Sequence, residues 1–399
     1  MKSVFEYLTT RRQSTDAKLS RQTVTDLISH RVPLTWKPSN VPLGTIDKVF
    51  ASKWLDDRRV ICGTKCNQLV VIDVVTKERV FIPMLEGSPY ATPQTVSAGV
   101  HDISLNQSQT MLASNGENPN HLAVYKLPTF DPVCVGEGHS DWVFATEWID
   151  NRLLVTGSRD GTISIWNACG SEPAYTSNKP VGTTDGKEKA KIMPAYISPK
   201  TTLTGTVEAD RIRDLVYNSN TGNLAALSPH SLVHVWDIAS GKQLSSFPLP
   251  FFYENVCLAL EKDRSLYAIG SQSHVSLVDL RSYKTVKNIR TYDPGAGVRS
   301  VSFQDVLLTI GTGHGSVIFY DLVADGFLVT DTRDDLTLKS GKGWLRLDNT
   351  LYEYFTETEV DCFSNAIYTH CYDPTGTKLF TAGGPLALVL YGNYAAIWE

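Results

Sequence analysis

Six basic side chains fall at predicted turns and strand starts, where they could share one anion: Lys48, Lys65, Arg159, Arg211, Arg213 and Arg299. Guanidinium and ammonium groups suit carboxylate or phosphate ligands, because they give charge-assisted hydrogen bonds. The formal net charge of the chain is −5, so a general affinity for nucleic acid is not expected. The alternative is that these cations face water or pair with local acids, such as Asp47, Glu208 and Asp210.

Sequence motifs for catalysis are missing. The chain has no Gly-x-Ser-x-Gly, no P-loop and no His-Glu-x-x-His. Cys62 and Cys66 have no second pair nearby that would complete a zinc site. Four histidines at turns or strand starts fit structural roles better than metal ligation: His101, His139, His314 and His370. We therefore expect a binding module, not an enzyme, with no cofactor and no metal.

One stretch, from Gly138 to Asn167, shows which element positions such cations. Gly-His opens a first strand, Leu153 to Ser158 form a second, and Asp160-Gly161 turns into a third. This spacing is the WD-repeat signature of one propeller blade. A buried hydrogen-bond chain can hold such a blade together, built here from His139, Asp160, a hydroxyl of Thr156 or Ser158, and the Trp166 indole.

The same template recurs six more times between Val49 and Glu399. We predict an all-β fold, a seven-bladed WD-repeat β-propeller over residues 41–399, with the six cations at one mouth of its channel. The last blade stops at its third strand, so we expect Val41 to Ile46 to supply the missing fourth strand. Two long insertions, 168–206 and 331–365, are functional or disordered, and the sequence does not say which.

Residues 1–40 have a different pattern. Val4, Tyr7 and Leu8 share one helical face, and Val24, Leu27 and Ile28 follow at i, i+3 and i+4. We predict a helix–loop–helix segment and a linker, although a disordered tail fits the pattern equally well. The sequence has no apolar run of eighteen residues, so no membrane partner is expected. Cysteines within apolar strands indicate reduced thiols, as in cytoplasmic and nuclear proteins.

Several strings in the propeller region are not ordinary WD-repeat consensus: Asp47-Lys48-Val49-Phe50-Ala51-Ser52, Cys62-Gly63-Thr64-Lys65-Cys66-Asn67, Leu127-Pro128-Thr129-Phe130-Asp131-Pro132, Thr369-His370-Cys371-Tyr372-Asp373 and Gly392-Asn393-Tyr394-Ala395. They resemble the factor-twelve family of DDB- and cullin-4-associated proteins, which are substrate receptors of cullin-4 RING ubiquitin ligases. The resemblance covers residues 41–399, and the first helix is similar too.

The resemblance implies a receptor with two faces. The N-terminal helices would dock on the adaptor, damaged-DNA-binding protein one, through Val4, Tyr7, Leu8, Val24, Leu27 and Ile28. Val278-Asp279-Leu280-Arg281 is similar to the Trp-Asp-x-Arg adaptor motif, which adds Asp279 and Arg281 to that surface. The substrates of the family end in two glutamates, and the family's basic channel residues match the six cations above. The alternative is a scaffold that binds partners through the propeller rim.

Overall fold

The computed structural model describes residues 29–91, 98–168, 192–205, 211–251, 253–292, 296–346, 364–387 and 389–399. The predicted helical faces, with Val4, Tyr7, Leu8, Val24, Leu27 and Ile28, lie outside these ranges. Residues 29–31 are α-helical, and Pro33–Thr35 form a 3-10 turn. No helix within the described ranges is long and apolar enough to cross a membrane.

In the described ranges, seven sheets follow one another, each with four antiparallel blade strands, and they confirm the predicted seven-bladed propeller. Blades 1 to 4 contain, in order: Val49–Trp54, Arg59–Thr64, Leu69–Asp73, Arg79–Ile82; Ser104–Leu105, Met111–Asn115, Leu122–Lys126, Asp131–Gly136; Val143–Trp148, Leu153–Ser158, Thr162–Asn167, Thr201–Thr204; Asp214–Asn218, Asn223–Ser228, Leu232–Asp237, Lys242–Pro248. Blades 5 to 7 contain: Leu258–Glu261, Leu266–Gly270, His274–Asp279, Lys284–Arg290; Val298–Gln304, Leu307–Thr312, Ser316–Asp321, Gly326–Phe327; Asn365–Tyr372, Leu379–Pro385, Gly392–Trp398, Pro38–Asn40.

The core lies between neighbouring blades. Middle strands such as Leu307–Thr312 and Ser316–Asp321 are buried at every residue, because both of their faces pack against adjacent sheets. The outer strand Lys242–Pro248 instead alternates between exposed and half-buried residues, since one of its faces is solvated. Burial is therefore greatest in the middle strands of a blade, and it is lower both in the first strand Val298–Gln304, which borders the channel, and in the outer strand.

The ring of blades is closed by the N-terminal segment, but not by the stretch that we predicted. Pro38–Asn40 pairs with Gly392–Trp398 as the fourth strand of blade 7, whereas Val41 to Ile46 is irregular. The reason is that the apolar side chains of that stretch leave the sheet plane: Leu43 and Ile46 are buried in the core beside blades 1 and 7. The closing strand needs only backbone groups, and its residues are largely polar and exposed.

Both predicted insertions contain ordered strands. Ala195–Ile197 adds to the edge of blade 2 in parallel, and Thr201–Thr204 is the fourth strand of blade 3. Thr337–Lys339 pairs with the third strand of blade 6, and Trp344–Leu345 pairs with the third strand of blade 7. Residues 169–191 and 347–363, the middle parts of these insertions, lie outside the described ranges.

The hydrogen-bond chain of the WD repeat is present in blade 3. His139 Nδ1 lies 3.0 Å from Asp160 Oδ2, and His139 Nε2 lies 2.7 Å from Thr156 Oγ1. The Trp166 indole donates to the same Thr156 oxygen at 2.8 Å. Of the two hydroxyls considered from the sequence, the chain uses that of Thr156. Because each buried polar group satisfies the next, the chain fixes the strands of this blade in register.

Candidate functional site

A cavity of about 550 Å³ runs along the propeller axis, lined by the first strands of all seven blades. Each blade contributes one residue from the equivalent position near the start of its first strand. We call these the ring residues: Phe50, His101, Phe144, Arg213, Val256, Arg299 and Tyr368. Each blade therefore offers one side chain to a shared space, and the chemistry of the channel depends on seven positions scattered along the sequence.

A β-bulge turns several ring residues inward. The pairing of first and second strands shifts register between Val49 and Ala51, and an equivalent shift skips Phe144, Arg299 and Tyr368. A bulge leaves its extra residue outside the ladder and re-aims the side chain. Phe50 is the skipped residue in blade 1, and its ring faces the channel while Val49 remains buried in the core.

Four aromatic ring residues on consecutive blades form one continuous surface, the aromatic arc: Tyr368, Phe50, His101 and Phe144. Their ring centroids are 5.3 Å apart for Tyr368 and Phe50, 4.9 Å for Phe50 and His101, and 4.7 Å for His101 and Phe144. Burial and the nearby Arg213 charge hold the pKa of His101 well below its usual range. The imidazole is therefore neutral at physiological pH and behaves as one more aromatic ring.

The remaining three ring residues, Arg213, Val256 and Arg299, form the cationic arc. The Arg213 guanidinium carbon lies 4.6 Å from the Phe144 ring centroid, so the two arcs touch through a cation–π contact. Arg299 Nη2 lies 2.7 Å from Glu254 Oε2, and its Nε donates to the Ala296 carbonyl at 3.2 Å. Within the described ranges, no carboxylate oxygen lies within 4.0 Å of the Arg213 guanidinium.

Lys48 and Lys65 lie together beside one acid. The ammonium group of Lys65 is 3.3 Å from Asp47 Oδ2, and that of Lys48 is 3.6 Å from Asp47 Oδ1. Lys48 is fully buried and donates to the Leu390 carbonyl, and burial lowers its pKa to about 8. Asp47 thus takes the partner role that we considered as the alternative to an anion site.

Arg159 and Arg211 also lie outside the cavity lining. The Arg159 Nε is 3.5 Å from Asp141 Oδ2, and its guanidinium covers the Trp142 ring at 4.7 Å. Trp142 in turn contacts Phe144, so this cation sits next to the aromatic arc. Arg211 is exposed. Of the six predicted cations, the structure brings Arg213 and Arg299 together in the channel, while the other four do not line the cavity.

Acids in the channel were not expected from the sequence, which we interpreted as giving mainly cations there. That interpretation is wrong: the lining includes Lys53, Arg213 and Arg299, but also four acids, Asp102, Glu147, Asp214 and Glu254. Three of these acids hold blades together. The side chains of Asp102 and Asp214 accept backbone N–H groups of the next blade, those of Thr146 at 2.8 Å and Leu258 at 2.7 Å, and Glu147 accepts from Tyr217 N at 3.4 Å.

Two of these acids have strongly raised pKa values. Burial, and secondarily the neighbouring Asp102, raises the pKa of Asp214 to about 7. Burial likewise raises the pKa of Glu147 to about 7, against the opposing effect of Lys53. Both carboxyl groups are therefore partly protonated near neutral pH, so two of the four acids that line the channel carry less than a full negative charge.

Comparison with known proteins places this arrangement in a family. The model of a family described as the DDB1- and CUL4-associated factor 12 beta propeller matches residues 32–399. The chain belongs to this family. It is also similar to the guanine nucleotide-binding protein subunit beta of Saccharomyces cerevisiae, with 22% identity over 266 residues. That match covers 65% of this chain and 54% of the yeast protein, so the chain spans about half the length of this curated relative.

In this member of the factor 12 propeller family, two further predicted residues, Asp279 and Arg281, lie where the third strand of blade 5 ends. This is the face of the propeller opposite the starts of the first strands. Arg281 forms a two-point contact with Asp279, with an Nη2–Oδ2 distance of 3.0 Å, and its side chain is 60% exposed. Val278, which stands where the adaptor motif has tryptophan, is fully buried. On the adjacent blade, His30 Nε2 lies 2.7 Å from Asp321 Oδ2, which fixes the helical residues 29–31 near the equivalent strand end.

Proposed function

We propose that this chain is a non-catalytic substrate receptor of a cullin-4 RING ubiquitin ligase, and that it binds protein chains ending in two glutamates in its channel. The family supports the ligase assignment, because its description names both DDB1 and CUL4. The observation that carries the substrate assignment is the pair of guanidinium groups, Arg213 and Arg299, which line one cavity from blades 4 and 6.

A di-glutamate terminus brings three carboxylates, which need several charge-assisted hydrogen bonds to offset their desolvation. Arg213 and Arg299 together offer up to ten N–H donors by their chemistry, of which few are used within the described chain. Lys65, Arg159 and Arg211 would attract an acidic segment before it enters the channel, whereas Lys48 is fully buried and would act only through its field. A true chain end differs from an internal acidic pair by its α-carboxylate, which a terminus-reading pocket can recognise.

Glu254 gives this site a resident carboxylate. Its 2.7 Å contact with Arg299 holds that guanidinium in place, and its side chain is 42% exposed. A substrate carboxylate would take over this position, and Glu254 could then turn towards water at small cost. Binding would thus exchange one carboxylate for another at Arg299, whereas Arg213 would gain a partner.

The adaptor would bind on the opposite face. Asp279, Arg281 and the predicted N-terminal helices would contact DDB1, so adaptor and substrate would not compete for one surface. The contact of His30 with Asp321 holds residues 29–31 on the same face. Ubiquitin transfer itself would belong to the RING and conjugating enzymes. A second candidate function is a scaffold without a terminal degron, and the exposed Val80 and Phe81 on the outer strand of blade 1 favour it.

The test is binding of the purified protein to a labelled peptide ending in Glu-Glu, beside the same peptide with an amidated end. We expect binding that is lost on amidation and weakened by salt, because the α-carboxylate and the basic channel both contribute. Equal binding to both peptides would instead indicate a general reader of acidic segments. Binding to neither would leave the rim scaffold as the better account.

A further inference from the structure

The aromatic arc offers no positive charge to terminal carboxylates, because its rings are uncharged. Its four rings, Tyr368, Phe50, His101 and Phe144, are all half-buried and line the same cavity as the two arginines. A purely anion-binding channel gains nothing from a continuous apolar wall on one side. Aromatic walls in concave sites are typical of places that cover apolar parts of a ligand, with a few polar groups fixing its orientation.

We propose that the aromatic arc is a second subsite, which selects substrates that carry an apolar, preferably aromatic, side chain a few residues upstream of the two terminal glutamates. This inference rests on the proposed function, because it concerns the same bound chain. It names a substrate class narrower than "ending in Glu-Glu".

The contact between the two arcs supports a shared ligand. Arg213 lies against Phe144, with 4.6 Å between guanidinium carbon and ring centroid, so the cationic surface continues directly into the aromatic one. An extended chain advances about 3.3–3.6 Å per residue. A chain whose terminal carboxylates meet Arg213 and Arg299 therefore reaches Phe144 and His101 within a few residues of its end.

The surface of the arc favours uncharged rings. Phe50 and His101 are stacked within 6° of parallel, and their neighbours Tyr368 and Phe144 meet them edge-on. An added aromatic side chain can continue this alternation of stacked and edge contacts. Because His101 is neutral, the arc presents no charge of its own to such a side chain.

Charge excludes the other candidates for this subsite. A lysine side chain over the arc would be repelled by Arg213, which offsets cation–π attraction to the rings. The channel acids Asp102 and Glu147 offer it little in return, because both already accept backbone N–H groups of the next blade. A third acidic side chain would be drawn to the guanidinium groups and leave the rings uncovered. An apolar side chain removes the half-exposed rings from water without either cost.

The experiment uses the whole chain of residues 1–399 and a set of labelled peptides that all end in Glu-Glu. One phenylalanine is moved through the third to sixth positions from the end, in an otherwise alanine and serine background. At the best position, phenylalanine is then replaced by leucine, alanine, lysine or glutamate. We expect phenylalanine to bind about tenfold more tightly than alanine, leucine to lie between them, and lysine and glutamate to gain nothing over alanine.

Two variants assign the gain to the arc. In Phe50→Ala the preference for phenylalanine over alanine should fall to about one, while binding of the alanine peptide persists. Tyr90→Ala is the control, because Tyr90 is an almost fully exposed ring that does not line the cavity, and here the preference should remain. Thermal unfolding checks that both variants are folded.

Each outcome decides the inference. A flat response to phenylalanine at all four positions, with the alanine peptide bound, would overturn the subsite and leave the terminal-degron receptor standing. A preference that survives in folded Phe50→Ala would also overturn it. If no peptide that ends in Glu-Glu binds, the proposed function fails, and the inference fails with it.

Discussion

The aromatic and cationic arcs occupy the same backbone position in neighbouring blades, yet their chemistry is opposite. Phe144 and Arg299 are both the skipped residues of a β-bulge at the start of a first strand, and both face the channel. The residues before them, Val143 and Val298, are both buried. The propeller thus fixes the direction of the side chain through the bulge, while its type is left to function, because it contributes little to the core.

The two arcs also differ in what their side chains contact inside the protein. The aromatic residues contact one another across blade boundaries, so that surface is complete without a ligand. Arg299 instead relies on Glu254 and a carbonyl, and Arg213 rests on an aromatic face. An arc of charges needs counter-charges in a way that an arc of rings does not. We therefore expect changes in the cationic arc to have the larger effects on binding.

The largest expected effect comes from reversing one cation of the channel. Arg213→Glu or Arg299→Glu places a carboxylate where a ligand carboxylate should bind, and so replaces attraction by repulsion in a partly desolvated site. We expect a loss of affinity for the Glu-Glu peptide of about a hundredfold or more. Fluorescence anisotropy with the labelled peptide measures it.

The control is Arg290→Glu, an exposed reversal on the outer strand of blade 5, which changes net charge by the same amount. It should leave peptide affinity nearly unchanged. If all three variants weaken binding equally, the effect is one of overall charge and not of the cationic arc. A folded Arg213→Glu variant with full peptide affinity would remove Arg213 from the site.

The architecture could be predicted from the sequence because each blade repeats apolar strand patterns and a Gly- or Asp-containing turn. The closing strand could not be placed, because Pro38–Asn40 has no apolar pattern and pairs only through its backbone. We predicted the closing strand at the apolar residues just after it, but one of these, Leu43, is buried in the core. Local sequence predicts where side chains are buried better than it predicts which backbone closes a sheet.

The seven ring residues of the channel were only partly predictable from the sequence. Arg213 and Arg299 were found as cations, but Phe50 and Tyr368 were not considered, although Val-Phe-Ala and Ile-Tyr-Thr stand at the same strand start as Val-Arg-Ser. Aligning the blades on that position would have revealed all seven ring residues. Glu254 could not have been found in this way, because it precedes Arg299 by 45 residues and meets it only in the folded chain.

A smaller effect, of opposite sign, is expected at the resident carboxylate. Glu254→Gln removes the charge that occupies Arg299 while it keeps the length and polarity of the side chain. Because a substrate carboxylate then displaces a weaker partner, peptide affinity should rise about three- to tenfold. The same anisotropy titration measures it. Unchanged or weaker binding would mean that Glu254 orders Arg299 for the ligand and does not compete with it.

The smallest expected effect is a change of peptide affinity with pH, which involves the cationic arc and not the aromatic arc. Asp214 has a pKa of about 7 in the folded chain against an ordinary value of 3.8, so it is mostly neutral at pH 6 and mostly ionised at pH 8. Its ionisation beside Arg213 would compete with substrate carboxylates, and peptide affinity should fall about threefold over this range. The preference for phenylalanine over alanine, which involves uncharged rings, should stay constant.

Folding stability, like peptide affinity, should fall as the pH rises. A carboxyl group whose pKa is raised in the folded state contributes stability that is complete below about pH 4 and is lost as the pH rises through 7. Asp214→Asn removes this contribution, so its melting temperature should fall less steeply between pH 5 and 8 than that of the unaltered protein. Glu147 titrates in the same window and leaves a residual slope in both. If the melting temperatures of the two proteins change equally with pH, Asp214 is already ionised at pH 5. Its bonds to the Leu215 and Leu258 N–H groups would then outweigh the effect of its burial.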